Sequence, residues 1–200
     1  MKVLVLSLLT AFFGLFTSHQ TAYTKMVDRV SSSVVRIIAV KDDGLHTCSG
    51  EVIGVNLVLT AAHCVGDTMS VDGIPAKVLK GDAYFDLLLL SVPTTKPAIR
   101  FRSSNVVRYE DLTAIGYAFG WTKLSVLQVR AYLLNIDPFD SENAKAPGIV
   151  TQGAFIPGMS GGPVVDADGE MVSMAQQANG GVGFGVGVQL IKAFLLGAVE

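Results

Sequence analysis

The chain has 200 residues, half of them hydrophobic and only 16% charged, so it can bury a sizeable core and is too apolar for a disordered chain. Its formal net charge is -2 and no run of Lys or Arg occurs, which leaves no basic stripe for a nucleic-acid partner. Twenty-one glycines without a collagen period indicate a turn-rich β protein.

The first element reads as an address. Lys2 supplies a positive start, and residues 3–16 carry no charge. Those fourteen residues would span about 21 Å as a helix, short of the roughly 30 Å hydrocarbon core. Residues 1–22 are therefore expected to be a secretory signal, touching a membrane only if left uncleaved. No A-x-A site follows, and cleavage is placed within residues 18–24. Losing the segment removes Lys2 and no acid, so the mature charge becomes -3 (that is, -2 minus one). The expected location is secreted or periplasmic. An oxidising compartment would allow the two cysteines, Cys48 and Cys64, to pair. Closing a loop of that length stabilises by about 3 kcal/mol in the chain-entropy model. No further ligands stand at metal-binding spacing, and neither a metal nor an organic cofactor is expected.

From residue 34 short apolar runs alternate with turn signals. Residues 34–40, 49–55, 56–60, 74–79 and 86–92 read as strands, with Asp72-Gly73 as a hairpin turn. Residues 93–103, with two prolines, read as a linker. Residues 112–116, 123–136, 148–151, 163–166, 170–175 and 182–188 read as a second set of strands. Helical signals are confined to a stretch after Lys25 and to residues 189–196. Two similar all-β halves imply two β-barrels, over residues 23–95 and 96–200.

Two segments carry chemistry. In Phe155-Ile-Pro-Gly-Met-Ser-Gly-Gly-Pro163, glycines flank Ser160 and let the backbone turn sharply against a substrate. The hydroxyl is then exposed beside backbone N–H groups of the kind an oxyanion hole needs, each worth about 2.7–4 kcal/mol in a transition state. A plain surface turn is the alternative. In Leu59-Thr-Ala-Ala-His-Cys64, His63 adjoins a cysteine and is the candidate general base. His19 lies in the expected signal, and His46 stands on a polar stretch as a bystander.

Thr60-Ala-Ala-His-Cys64 and Gly158-Met-Ser-Gly-Gly162 resemble the two signatures of chymotrypsin-fold (trypsin-like) serine peptidases. Val30-Ser-Ser-Ser-Val-Val-Arg-Ile37, Asp86-Leu-Leu-Leu-Leu90 and residues 151–163 resemble the HtrA/Deg-type members. The resemblance implies two six-stranded antiparallel barrels with a short C-terminal helix, and a disulfide between Cys48 and Cys64 beside the histidine. It implies a triad of His63, Asp86 and Ser160, with Asp82 the nearest competing acid. Asp86 would fix the His63 tautomer through Nδ1. Backbone N–H groups of Gly158 and Ser160 would form the oxyanion hole.

Chain order separates the rival folds. Gly158-x-Ser160-x-Gly162 also fits an α/β-hydrolase elbow, but that fold needs a histidine after the serine, and none follows His63. A subtilisin order could use Asp42 or Asp43, yet its helix-rich fold disagrees with the strand pattern. Met159 stands where digestive members have an aspartate, so no zymogen activation of their kind is expected. Ala154 stands where basic-specific members carry an acid, which points to a small or aliphatic P1 residue. Residues 170–176, with Met174, Ala175 and Gln176, are expected to pair with substrate backbone. In contrast to typical HtrA members, no PDZ domain is expected within residues 1–200. The expected function is serine endopeptidase acting on proteins or peptides. The alternatives are a catalytically silent peptide-binding module and a phage or viral processing protease.

Overall fold

The computed structural model describes residues 20–134 and 148–197. The expected signal at residues 1–22 lies outside them, except for residues 20–22, which belong to a helix, α1, described over residues 20–31. Met26 and Val30, four apart on one helical face, are its buried anchors. They pack against Gly169, where an added Cβ would come within 3.0 Å of both.

Seven strands follow: β1 (Val34–Lys41), β2 (Gly44–Gly54), β3 (Leu57–Ala61), β4 (Thr68–Val71), β5 (Ile74–Pro75), β6 (Lys77–Asp82) and β7 (Leu87–Ser91). They form one curled sheet in the order β5-β4-β1-β2-β3-β7-β6. The count is seven and not six because the apolar run at residues 74–79 is broken. Ile74 and Pro75 complete a hairpin with β4, and Ala76 then bonds back to Met69 before β6 begins. That hairpin turns at Asp72 (φ 49°) and Gly73 (φ 83°), the left-handed pair that a two-residue hairpin needs.

The second sheet contains β8 (Asp111–Gly116), β9 (Ser125–Leu134), β10 (Gly148–Gln152), β11 (Pro163–Val165), β12 (Met171–Asn179) and β13 (Val182–Gly187). It closes as a six-stranded barrel in the order β10-β13-β12-β11-β8-β9. The end of the expected strand at residues 123–136 lies partly outside the described residues. A short helix, α2 (Val188–Leu196), buries Val188, Ile191 and Phe194 at helical spacing. The architecture is the expected all-β pair of curled sheets with a C-terminal helix. The segment at residues 93–103 is strapped down rather than loose. Ile99 donates to Val52 of the first sheet, and Arg102 donates to Met171 of the second, at 2.8 and 3.0 Å.

The core of the first sheet runs on into the second. Val58, Leu59, Leu87 and Leu90 belong to one buried cluster with Ile115, Val165, Met171 and Met174. A smaller cluster, including Leu112, Val164 and Val172, fills the second barrel. The sheets therefore meet across an apolar seam, and loops at its edge are held by both.

Glu51 of β2 lies among these apolar residues with no exposed surface, and neither carboxyl oxygen has a hydrogen-bond partner among the described residues. Burial pushes its carboxyl well above the ordinary 4.5. The fold thus keeps a proton that the unfolded chain releases once the pH passes about 4.5. This contribution to stability is complete below that pH and declines as pH rises toward the folded value. Glu51→Gln stays neutral throughout. The melting temperature of the variant minus that of wild type should therefore grow between pH 4.5 and about pH 7 in thermal scans. A constant difference would contradict a protonated Glu51.

Candidate active site

His63 sits in a single 3-10 turn, Ala62–Cys64, directly after β3. Cys64 is bonded to Cys48 of β2, with Cα atoms 6.2 Å apart. The turn is thereby tied to the neighbouring strand. Asp86 immediately precedes β7, with φ 56°, a left-handed conformation that a short polar side chain tolerates better than most. Three bonds hold it there. Its carbonyl accepts from Ala62 N–H at 3.1 Å, and its Oδ1 accepts from His63 N–H at 2.7 Å. Its Oδ2 lies 2.7 Å from His63 Nδ1. An ionised carboxylate only accepts, so Nδ1 carries the hydrogen and Nε2 is left as the acceptor. The Asp86 side chain is 9% exposed and that of His63 48%, so the acid is enclosed while the imidazole faces outward.

The other candidates have different duties. Asp82 caps its own turn, its Oδ1 accepting from the N–H groups of Tyr84 and Phe85 at 3.0 Å each. His46 pairs with exposed Asp43 at 2.7 Å, a bond that lowers the Asp43 carboxyl below its ordinary 3.8.

Ser160 lies on a loop whose carbonyls are all engaged. Ile156-Pro-Gly-Met159 forms a tight turn closed by Met159 N–H to Ile156 C=O at 2.9 Å. Pro157 and Gly158 (φ 92°) occupy its centre, the type II arrangement that these two residues favour. An added Cβ on Gly158 would stand 2.5 Å from the Tyr117 carbonyl, so glycine is required there. The Pro157 carbonyl accepts from Phe119 N–H at 2.6 Å, and that of Gly158 from Ser49 Oγ at 2.8 Å. The Met159 carbonyl accepts from Gly162 N–H, and that of Ser160 from Ser49 N–H, both at 2.9 Å. The N–H groups of Gly158 and Ser160 bond to no described residue.

The Ser160 hydroxyl donates to the Gln176 carbonyl at 2.9 Å, and no hydrogen bond joins it to His63 among the described residues. Gln176 is the extra residue of a β-bulge, since Ala175 pairs with Gly185 and Gln177 with Phe184. A bulge re-aims one peptide out of the ladder, and here its carbonyl faces Ser160. A cleft of about 470 Å³ between the sheets is lined by His63, Ala83 and Asp86 on one side. Phe155, Ile156, Pro157, Ser160, Gln176, Gln177 and Ala178 line the other.

Three residues expected at the substrate site stand elsewhere. Met174 and Ala175 are buried in the two cores. Their stretch of β12 is interior, because Met174 pairs with Pro163 on one edge and Val186 on the other. Ala175 exchanges bonds with Gly161 and Gly162, at 2.7 and 2.8 Å. The free edge of β12 begins only after Ala175, and so the cleft meets residues 176–178. Ala154 is half-buried, and Phe155 lines the cleft in its place. Cys48, His63 and Cys64 bring potential ligand atoms within 4.8 Å of one another, but both sulfurs are consumed by the disulfide, so the trio lacks the thiolates a metal would need.

The trypsin-like peptidase domain family matches residues 48–174, more than half of the chain. The chain belongs to this family. It is 31% identical over 143 residues to Protease Do-like 2, chloroplastic, of Arabidopsis thaliana, covering 66% of this chain and 24% of that protein. It is 25% identical over 207 aligned positions to Serine protease HTRA2, mitochondrial, of Bos taurus, covering 90% of this chain and 44% of that one. The chain therefore spans less than half the length of either relative. Among solved structures, the HtrA-type protease AlgW with a tripeptide superposes with a TM-score of 0.78 at 24% identity. That superposition covers 89% of this chain and 64% of AlgW, and it shows a shared fold.

This trypsin-like domain contains site residues that its motifs did not announce. Ser49, wholly buried on β2, and Phe119, whose N–H holds the Pro157 carbonyl, are two of them. Gln176, by contrast, was expected at the substrate edge, and the structure adds that its bulged carbonyl faces Ser160. The Pro157-Gly158 pair was the available signal for the type II turn. The disulfide that ties the histidine turn to β2 closes a loop of sixteen residues' separation. Replacing both cysteines by alanine should lower the unfolding free energy by about 3 kcal/mol in denaturant titrations. A change within error of zero would mean that the turn is held by its other contacts.

Proposed function

We propose that the protein is a serine endopeptidase in which Ser160 is the nucleophile, His63 the general base and Asp86 the orienting acid. The single observation that carries the reading is the complete bonding of the carbonyls of residues 157–160, which leaves two N–H groups beside the serine hydroxyl. Ser160 Oγ would attack a peptide carbonyl while His63 Nε2 takes its proton. The oxygen that gains negative charge would lie against the N–H groups of Gly158 and Ser160. His63 would return the proton to the departing amine, and a water would then release the acyl-enzyme. Asp86, bonded twice to His63, supports the tautomer this requires.

Substrate backbone would pair with the open edge at residues 176–178 and donate an N–H to the Gln176 carbonyl. A substrate N–H taking that carbonyl would free the Ser160 hydroxyl to turn to His63. The cleft lining favours small or aliphatic P1 residues, because its one carboxylate, Asp86, is already engaged by His63. The two-cysteine pairing fits an oxidising compartment, secreted or periplasmic. Among the described residues no helix is long and apolar enough to cross a membrane.

The resting bond from Ser160 to Gln176 favours a second reading, a peptide-holding module that does not cut. A fluorophosphonate probe separates the two. Wild type should be labelled and Ser160→Ala should not, and an unlabelled, folded wild type would favour the binding module. Cleavage of a peptide library should show small or aliphatic residues at P1. A dominant Lys or Arg would contradict the neutral cleft.

A further inference from the structure

We propose that Ser49 is a positioning residue for this site, and that its hydroxyl sets the direction of the Gly158 N–H group. The proposal rests on the reading of Gly158 and Ser160 as oxyanion donors. Ser49 belongs to β2 of the first sheet and has no exposed surface. Each of its polar atoms is used. Its N–H donates to the Ser160 carbonyl at 2.9 Å, and its carbonyl accepts from Thr60 Oγ1 at 2.7 Å. Its Oγ accepts from Tyr117 N–H and donates to the Gly158 carbonyl, each at 2.8 Å. A hydroxyl has one hydrogen, and here it is committed to Gly158.

This arrangement controls a peptide plane. Without Ser49 Oγ the Gly158 carbonyl loses its donor, and the Gly158–Met159 peptide keeps only the bond from Met159 N–H to Ile156 C=O. Glycine tolerates both signs of φ and lets the peptide before it turn over once the turn loosens. The adjoining Pro157–Gly158 peptide, which carries the proposed donor, is held through Phe119 N–H. Phe119 follows Tyr117 in the turn that the same Ser49 Oγ anchors. One hydroxyl therefore fixes both peptides around Gly158. There is little slack for an alternative, since an added Cβ at Gly116 would stand 2.7 Å from Ser49 Oγ, and one at Gly161 2.3 Å from the Ser49 carbonyl. Ser49 also follows Cys48 directly, so the disulfide beside His63 and the loop bearing Ser160 meet on two consecutive residues of β2.

The test compares the wild-type chain with Ser49→Ala and with Ser49→Cys, which keeps the shape with a weaker donor. Three quantities are measured: kcat and KM on a peptide substrate, affinity for the matching peptide aldehyde, and affinity for the product peptide. The aldehyde forms an oxyanion on Ser160, and the product peptide does not. In Ser49→Ala, kcat and aldehyde affinity should both fall about 10- to 100-fold, with KM and product affinity within about twofold of wild type. Ser49→Cys should lie between the two and decides the matter if the alanine variant does not fold. A folded variant whose kcat stays within about threefold of wild type would overturn the proposal. Equal losses of aldehyde and product affinity would also overturn it, because they would indicate a deformed cleft. Failure of the peptidase reading itself is seen in wild type alone, as an absence of cleavage and labelling, and the proposal would fall with it.

Discussion

The loop that carries Ser160 is shaped by where its carbonyls can go. Between Pro157 and Ser160 each C=O points at a donor supplied by the protein, from Phe119, Ser49 or Gly162. A peptide plane has its N–H opposite its C=O, so fixing the carbonyls fixes the amides. Two of those amides, on Gly158 and Ser160, have no described partner. Ser49 comes from β2, and Phe119 and Gly162 from loops beside the second barrel, so the loop is tied to both halves where their apolar residues meet. Packing and chemistry are in this sense one arrangement.

The opposite side of the cleft follows from register. β12 is paired on both edges up to Ala175 and on one edge beyond it. The bulge at Gln176 falls at that transition and turns a carbonyl toward the serine. His63 and Asp86 come from the first sheet and are linked to one another before any substrate arrives. Ser160 Oγ is bonded to the Gln176 carbonyl and not to His63 among the described residues. On the proposed reading, substrate backbone frees the hydroxyl for His63 by competing for the Gln176 carbonyl.

Much of this was legible in the sequence because the informative residues are rare or geometrically demanding. Three histidines left few candidates for a base, and glycines flanking Ser160 announced a tight turn. The two all-β sheets and the C-terminal helix followed from apolar periodicity and turn residues, whereas α1 is already helical at residue 20, ahead of the stretch expected after Lys25. Strand pairing was less legible. Met174 and Ala175 read as a substrate edge, yet the edge begins one residue later, because pairing partners are set by the whole barrel. Residues 74–79 read as one strand, although Ala76 bonds back to Met69 and divides them. Ser49 and Glu51 fall within the strand expected at residues 49–55, where no motif marks either of them. Tyr117, Gly158 and Ser160 of the second half make Ser49 a fully bonded residue, and Glu51 has no exposed surface, and neither relation shows in a strand pattern.

The most direct test of the account is the crystal structure of the wild-type protein with a peptidyl boronate bound. The account predicts a tetrahedral boron on Ser160 Oγ, with one boronate oxygen about 3 Å from both the Gly158 and Ser160 nitrogens. The substrate-like backbone should then bond to the Gln176 carbonyl, and His63 should keep its two bonds to Asp86. A boronate oxygen pointing into solvent, with the Gly158 N–H turned away from it, would contradict the account.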